Sequence, residues 1–281
     1  MDTVDDIPAA FSGRVLFEPI APWLARFAAP GVPSHVALDA LLAETAAEAR
    51  SGGGAPIRFV RPTDEPGGYE ERIFARGEVP TRHGDWHDFF NALAWCAWPR
   101  TKAACNRLHL AELRAREGAG LPGRGPRRDA LTQFDECGIV VVTSDPEIPA
   151  RLTAHEWEEA FWNRRARLLQ TTRFLVFGHG SWDQLRAPFV GLCAKAIHRV
   201  VEPDWLALPM AQALAETDAW LADHLAATLD TLSPRSLSPL PLLGIPGVTP
   251  DNEAASYYRD TRQFRPRRKA PVAAAMGTSR A

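Results

Sequence analysis

The clearest periodic signal lies at residues 86–97. Trp86, Phe89, Phe90, Leu93 and Ala97 recur at i, i+3, i+4, i+7 and i+11, the apolar stripe of a helix that faces a core. Asp85 is placed to cap its start, Asp88 follows like a shortened capping box, and Pro99 stops it or begins the next helix. Similar patterning predicts helices over 34–50, 101–117, 127–138, 153–170, 182–201 and 204–232. Short apolar or alternating runs predict strands near 57–62, 70–76, 138–144 and 173–178, and a further short one over 14–20. The stretch from Ser233 to Gly247 is apolar yet crowded with proline, so it is expected to drape over the core as an extended strap. The fold class is therefore α+β, a predominantly helical single domain over 14–266 with a small sheet of about four short strands. Residues 1–13 form a flexible lead-in and 267–281 a disordered basic and small-residue tail.

The helix at 86 also carries polar side chains along one edge of its stripe. His87 and Asn91 are four apart, and Asp88 and Asn91 three apart, so a histidine, a carboxylate and an amide can share a pocket floor. His83 and His87 have the spacing of a zinc-binding helix pair. Gly84 and the Asp85 cap, however, put His83 outside the helix, and no glutamate follows it. On the next helix Lys102, Asn106 and His109 share a face, either a wall of the same pocket or, as favoured here, a solvated surface. Asp135 and Glu136 close a helix, where the dipole disfavours carboxylates, so they are either beside a compensating cation or metal or, as favoured here, solvated turn residues or partners of arginines. A strand, a glycine turn and a helix meet at Gly178-His179-Gly180-Ser181. Ser181 is out of register for a nucleophile elbow, and the phosphate-loop lysine is missing. His179 remains a candidate because its small neighbours let a ligand come close.

Composition narrows the setting. The chain has 281 residues, 46% hydrophobic and 23% charged, within the range of ordinary globular proteins. A net charge of −2 gives no general attraction to nucleic acid or to anionic membrane. Cys96, Cys105, Cys137 and Cys193 form no CxxC pair and read as reduced thiols. With an acidic start and no long apolar run, a cytoplasmic location is expected.

Several stretches together resemble an uncharacterised bacterial family, domain of unknown function 3025. They are Val79–Arg82, Trp86–Trp95, Pro99–Asn106, Ala130–Gly138, Val176–His179, Gly191–Ile197, Leu240–Gly247 and Tyr257–Pro266. The resemblance covers about residues 14 to 266. It implies a soluble, single-domain bacterial protein and no particular reaction.

The favoured reading is a hydrolase or metal-assisted enzyme with a small-molecule substrate. Its catalytic candidates are His87, Asp88, Asn91 and His179. Its ligand-binding candidates are Arg82, Trp86, Lys102, Asn106 and Asp129, and its metal candidates His83, Asp135 and Glu136. Histidine and oxygen donors favour zinc, manganese or iron over magnesium. The alternatives are a non-catalytic binding protein and a His-Me-finger-like nuclease. The latter lacks the histidine that should end its first strand. The discriminating question is whether His87, Asp135, Glu136 and His179 meet in space.

Overall fold

A computed structural model describes residues 7–63 and 68–267. The first six residues of the expected lead-in, and the tail from 268 onward, lie outside the described residues. Pro8–Phe11 forms a 3-10 turn whose Phe11 is fully buried and stacks on Phe17.

Helices dominate. In chain order they are α1 (Ala21–Leu24), α2 (His35–Thr45), α3 (Tyr69–Arg76), α4 (Trp86–Ala97), α5 (Pro99–Gly118), α6 (Gly125–Cys137), α7 (Glu147–Ala154), α8 (Arg165–Thr171), α9 (His179–Leu185) and α10 (Met210–Thr228). The strands are β1 (Arg58–Val60), β2 (Glu78–Pro80), β3 (Gly138–Thr143), β4 (Thr172–Val176), β5 (Cys193–Val200) and β6 (Ser238–Pro241). The α+β expectation holds.

Four strands form one sheet in the order β4-β3-β5-β6, and β1 pairs parallel with β2 in a second, small sheet. Central β3 runs antiparallel to β4 and parallel to β5, with Val140 opposite both Leu175 and Ile197. All six residues of β3 are buried, as expected of a strand covered on both faces. The proline-rich strap supplies β6 at the sheet edge, where prolines that cannot donate to a ladder are tolerated.

Several elements differ from expectation, among them the helix expected over 153–170, which is split between α7, a π-helical turn at Glu159–Asn163 and α8. Residues 69–76 are a helix, not a strand. Glu71 Oε2 accepts from the Gly68 amide at 3.0 Å, and Gly77, at φ +68°, ends the helix in the left-handed region. Residues 193–200 are a strand, not the continuation of a helix from 182. Pro188 and Gly191 (φ +96°) stop α9 early, and Ala194 and Ala196 then turn the same way into the core. The strand expected at 14–20 is a series of turns ending in the 3-10 turn Glu18–Ile20. Among the described residues no helix is long and apolar enough to cross a membrane.

The core packs α4 against α9 and α5 against α10. Trp95, Trp98 and Trp182 are fully buried. The indole nitrogens of Trp98 and Trp182 donate to Val176 O at 3.0 Å and Leu16 O at 2.9 Å. These two indoles keep their donors satisfied while filling the interior, whereas the Trp95 nitrogen is buried without a hydrogen-bond partner among the described residues.

Candidate functional site

The first turn of α4 is fixed by carboxylates. Asp85 Oδ1 accepts from the Asp88 amide at 3.0 Å, the expected cap. Asp88 in turn accepts from the Arg82 amide at 2.7 Å and from Nε and Nη2 of its guanidinium at 2.8 Å each. Asp88 and Arg82 therefore tie the chain leaving β2 onto α4. This leaves His87, one residue before Asp88, facing a cleft.

The opposite wall depends on two glycines. A Cβ on Gly178 would lie 2.4 Å from the Gly138 amide nitrogen, and one on Gly180 would lie 2.8 Å from Glu136 Oε2. Only their absence lets the start of α9 close on the end of α6. His179 and Glu136 are thereby brought to His87. The two Nε2 atoms are 3.1 Å apart, with ring centroids at 4.5 Å and planes at 63°. Glu136 Oε2 lies 3.7 Å from each Nε2. A triangle with sides of 3.1, 3.7 and 3.7 Å has a circumscribed circle of radius about 2.0 Å, the zinc–nitrogen and zinc–oxygen bond length. A point in that plane is therefore one metal–ligand bond from all three atoms.

The site's charges are set by burial. His179 is 4% exposed. Burial, with the positive charge of Lys102, pushes its pKa down to about 3, so the ring is neutral at physiological pH. Its Nδ1 is sealed from water without a hydrogen bond of ordinary geometry and lies 3.9 Å from Asp135 Oδ2. Burial would raise the Asp135 carboxyl, but Lys102, through its charge and its hydrogen bond, leads the effects that hold it below the usual carboxylate range. Lys102 Nζ donates to Asp135 Oδ1 at 2.6 Å and to Asn91 Oδ1 at 2.9 Å, and Asn91 Nδ2 bonds Tyr69 Oη at 3.0 Å. Burial raises Glu136, and His87 offsets only part of the rise. Its side chain is 46% exposed and open to the cleft.

Behind this network Asn106 Nδ2 bonds the Glu70 carbonyl at 2.9 Å and its carboxylate at 2.7 Å, while Asn106 Oδ1 accepts from Gly52 N at 3.1 Å. Burial lifts the Glu70 carboxyl above its ordinary pKa, and the Asn106 bond opposes this. The face of Lys102, Asn106 and His109, expected to be solvated surface, is instead buried, each residue being 5% exposed or less. These residues sit under a cleft of about 660 Å³ lined by α3, α4, α5, α6 and α9. Six carboxylates line it (Glu70, Glu71, Asp88, Glu117, Asp135 and Glu136) against three guanidiniums (Arg82, Arg124 and Arg128). That excess of acid favours a cation. A similar hollow of about 690 Å³ lies elsewhere, but alanines such as Ala46, Ala103 and Ala215 make up much of its wall.

Of the four groups expected to meet, His87, Glu136 and His179 do so. Asp135 backs His179 instead of joining the three-atom cluster. His83 lies exposed in the turn before α4, outside that cluster. Trp86 packs under the Arg186 guanidinium at 3.9 Å and edge-on to Phe11, away from the cleft. Asp129 pairs loosely with Arg124 at 3.7 Å on the outside of α6. Tyr69 and Glu70 were missed. Both stand on α3, whose helical signals were the Gly68–Glu71 box and Gly77.

The sequence model of a family described as "Protein of unknown function (DUF3025)" matches residues 57–268. No curated protein and no solved structure matches the chain.

Proposed function

We propose, for a chain that belongs to the DUF3025 family, a divalent-metal-dependent hydrolase whose ion is held by His87, His179 and Glu136. The observation that carries this reading is the common point about 2.0 Å from His87 Nε2, His179 Nε2 and Glu136 Oε2, at the wall of an acidic cleft. Three protein ligands leave a position for water or substrate, the arrangement of catalytic rather than closed structural sites. Two imidazoles and one carboxylate suit zinc, manganese or iron, and suit magnesium poorly. An ion there would lower the pKa of a bound water and polarise a carbonyl or phosphoryl oxygen.

The surrounding residues have separate tasks. Asp135, held by Lys102, faces Nδ1 of His179 and favours the tautomer whose Nε2 is unprotonated and would be free to hold an ion. Glu70 lines the same cleft, and its raised pKa suits it to carry a proton during turnover. The excess of carboxylates counts against the nuclease alternative, since a phosphate backbone seeks the opposite balance.

The test is metal uptake by the full chain after treatment with chelator. Zinc, manganese and iron(II) are titrated against a chromophoric competitor, with His87→Ala and His179→Ala as controls. One equivalent should bind, at least tenfold more weakly in either variant. Absence of uptake, or equal affinity in all three proteins, refutes the reading.

A further inference from the structure

The far end of the cleft differs in charge from the metal end. Arg124, Arg128 and Thr132 stand four residues apart along α6, and Glu136 is the next step of the same row. The Arg124 guanidinium bonds the Thr132 hydroxyl and stays half exposed. Arg128 is half buried and has no ion pair among the described residues, and its Nε is sealed without an acceptor. Opposite, on α5, His109 is 4% exposed and its Nδ1 has no hydrogen-bond partner. Burial holds that ring neutral. A half-buried guanidinium without a counter-ion and a sealed imidazole nitrogen without a partner both leave desolvation uncompensated. Glu70 lies close enough to feel Arg128, but its carboxylate is engaged by Asn106. Glu117 is exposed.

We infer that Arg128 and His109, with Arg124 at the mouth, form a subsite for an oxyanion, a carboxylate or a phosphate, carried by the substrate. Eight residues of α6 separate Arg128 from Glu136, about 12 Å along the axis. The substrate is then elongated, with its anionic group at one end and the hydrolysed bond near the other. Placing that bond rests on the metal reading; the anion subsite does not.

The experiment measures binding of inorganic phosphate and of succinate to the full chain by calorimetry at low ionic strength. Wild type, Arg128→Gln, Arg124→Gln and, as a control outside the cleft, Arg235→Gln are compared, each without metal and each checked for folding by circular dichroism. At least one anion should bind the wild type, about tenfold or more weakly in Arg128→Gln, less weakened in Arg124→Gln and unchanged in Arg235→Gln. The preferred anion identifies the substrate group as phosphate or carboxylate. Failure of either anion to bind, or binding indifferent to Arg128→Gln, overturns the inference. Arg128-dependent binding in a protein that takes up no metal would sink the metal reading and leave the subsite standing. Uptake of metal with no anion bound would do the reverse.

Discussion

Replacing Lys102 with methionine tests the buried network most directly. The change keeps most of the side-chain volume and removes the ammonium that lies 2.6 Å from Asp135 Oδ1 and 2.9 Å from Asn91 Oδ1. The side chains of Lys102 and Asp135 are only 6% and 22% exposed, so the carboxylate is left with little water to replace its partner. Removing one member of a buried pair typically costs about 3–5 kcal/mol. Residual solvent at Asp135 places this case at the low end, about 3 kcal/mol, or a fall in Tm of about 6–12 °C. Adding Asp135→Asn removes the stranded charge, so the double variant should recover about 2 kcal/mol of that loss. Urea unfolding of wild type, the two single variants and the double variant closes the cycle. The pH dependence follows from Asp135, whose folded pKa lies below its unfolded value. Its contribution is complete above the unfolded pKa of about 3.9 and is lost as pH falls through the folded pKa. The difference between wild type and Lys102→Met should therefore be full at pH 7 and shrink towards pH 3. A Lys102→Met protein within about 0.5 kcal/mol of wild type, or a double variant no more stable than the single one, would refute this account.

Acid should destabilise the fold through buried histidines that must become charged. Burial pushes the pKa values of His109 and His198 down to about 4, so each contributes full stability above about pH 6.5 and loses it progressively between about 6.5 and 4. His109→Gln should flatten the fall of Tm across that window, and an unchanged slope would show that His109 is not held neutral by the fold. A methyl group at Gly180 meets Glu136 Oε2 at 2.8 Å and the Glu136 carbonyl at 2.9 Å. Gly180→Ala should then displace the carboxylate and weaken metal binding about tenfold or more; wild-type affinity in a folded Gly180→Ala protein would remove Glu136 from the ligand set.

Local signals carried the helices that bear the site, and failed where tertiary context decides. At α4 the Asp85 cap, the aromatic stripe and Pro99 all agree, and the helix runs from Trp86 to Ala97. Asp135 and Glu136, unfavourable at a helix end, face Lys102 and two imidazoles rather than arginines or bulk solvent alone, a placement that the helix-end position by itself did not favour. At α3 the alternation of Tyr69, Arg72 and Phe74 resembled a strand, although Gly68, Glu71 and Gly77 supplied both ends of a helix. That misreading hid Tyr69 and Glu70. At β5 the alanines favour a helix intrinsically, but the free edge of β3 and the break at Pro188 and Gly191 override them. His83 and His87 look equivalent by spacing. Only the αL turn at Gly84 (φ +75°) separates them and leaves His83 in solvent.

The run from Tyr69 through Asn91 and Lys102 to Asp135 is hard to explain as a source of stability. Desolvating an ammonium and a carboxylate offsets most of their attraction, and well-packed apolar residues of the same volume often serve a fold as well or better. The pair sits beside the fully buried Trp95, with Nζ 5.6 Å from its ring, in surroundings that are otherwise apolar on that side. What the pair provides instead is direction. Lys102 fixes one oxygen of Asp135 and so turns the other towards His179 Nδ1. Asn91 and Tyr69 fix Lys102 in turn. His179 is buried too deeply to become charged, so the arrangement leaves it a neutral ring with one nitrogen facing a carboxylate and the other facing His87 and Glu136. That is the form of histidine that binds a metal ion, since a ligand imidazole must be deprotonated and oriented before the ion arrives.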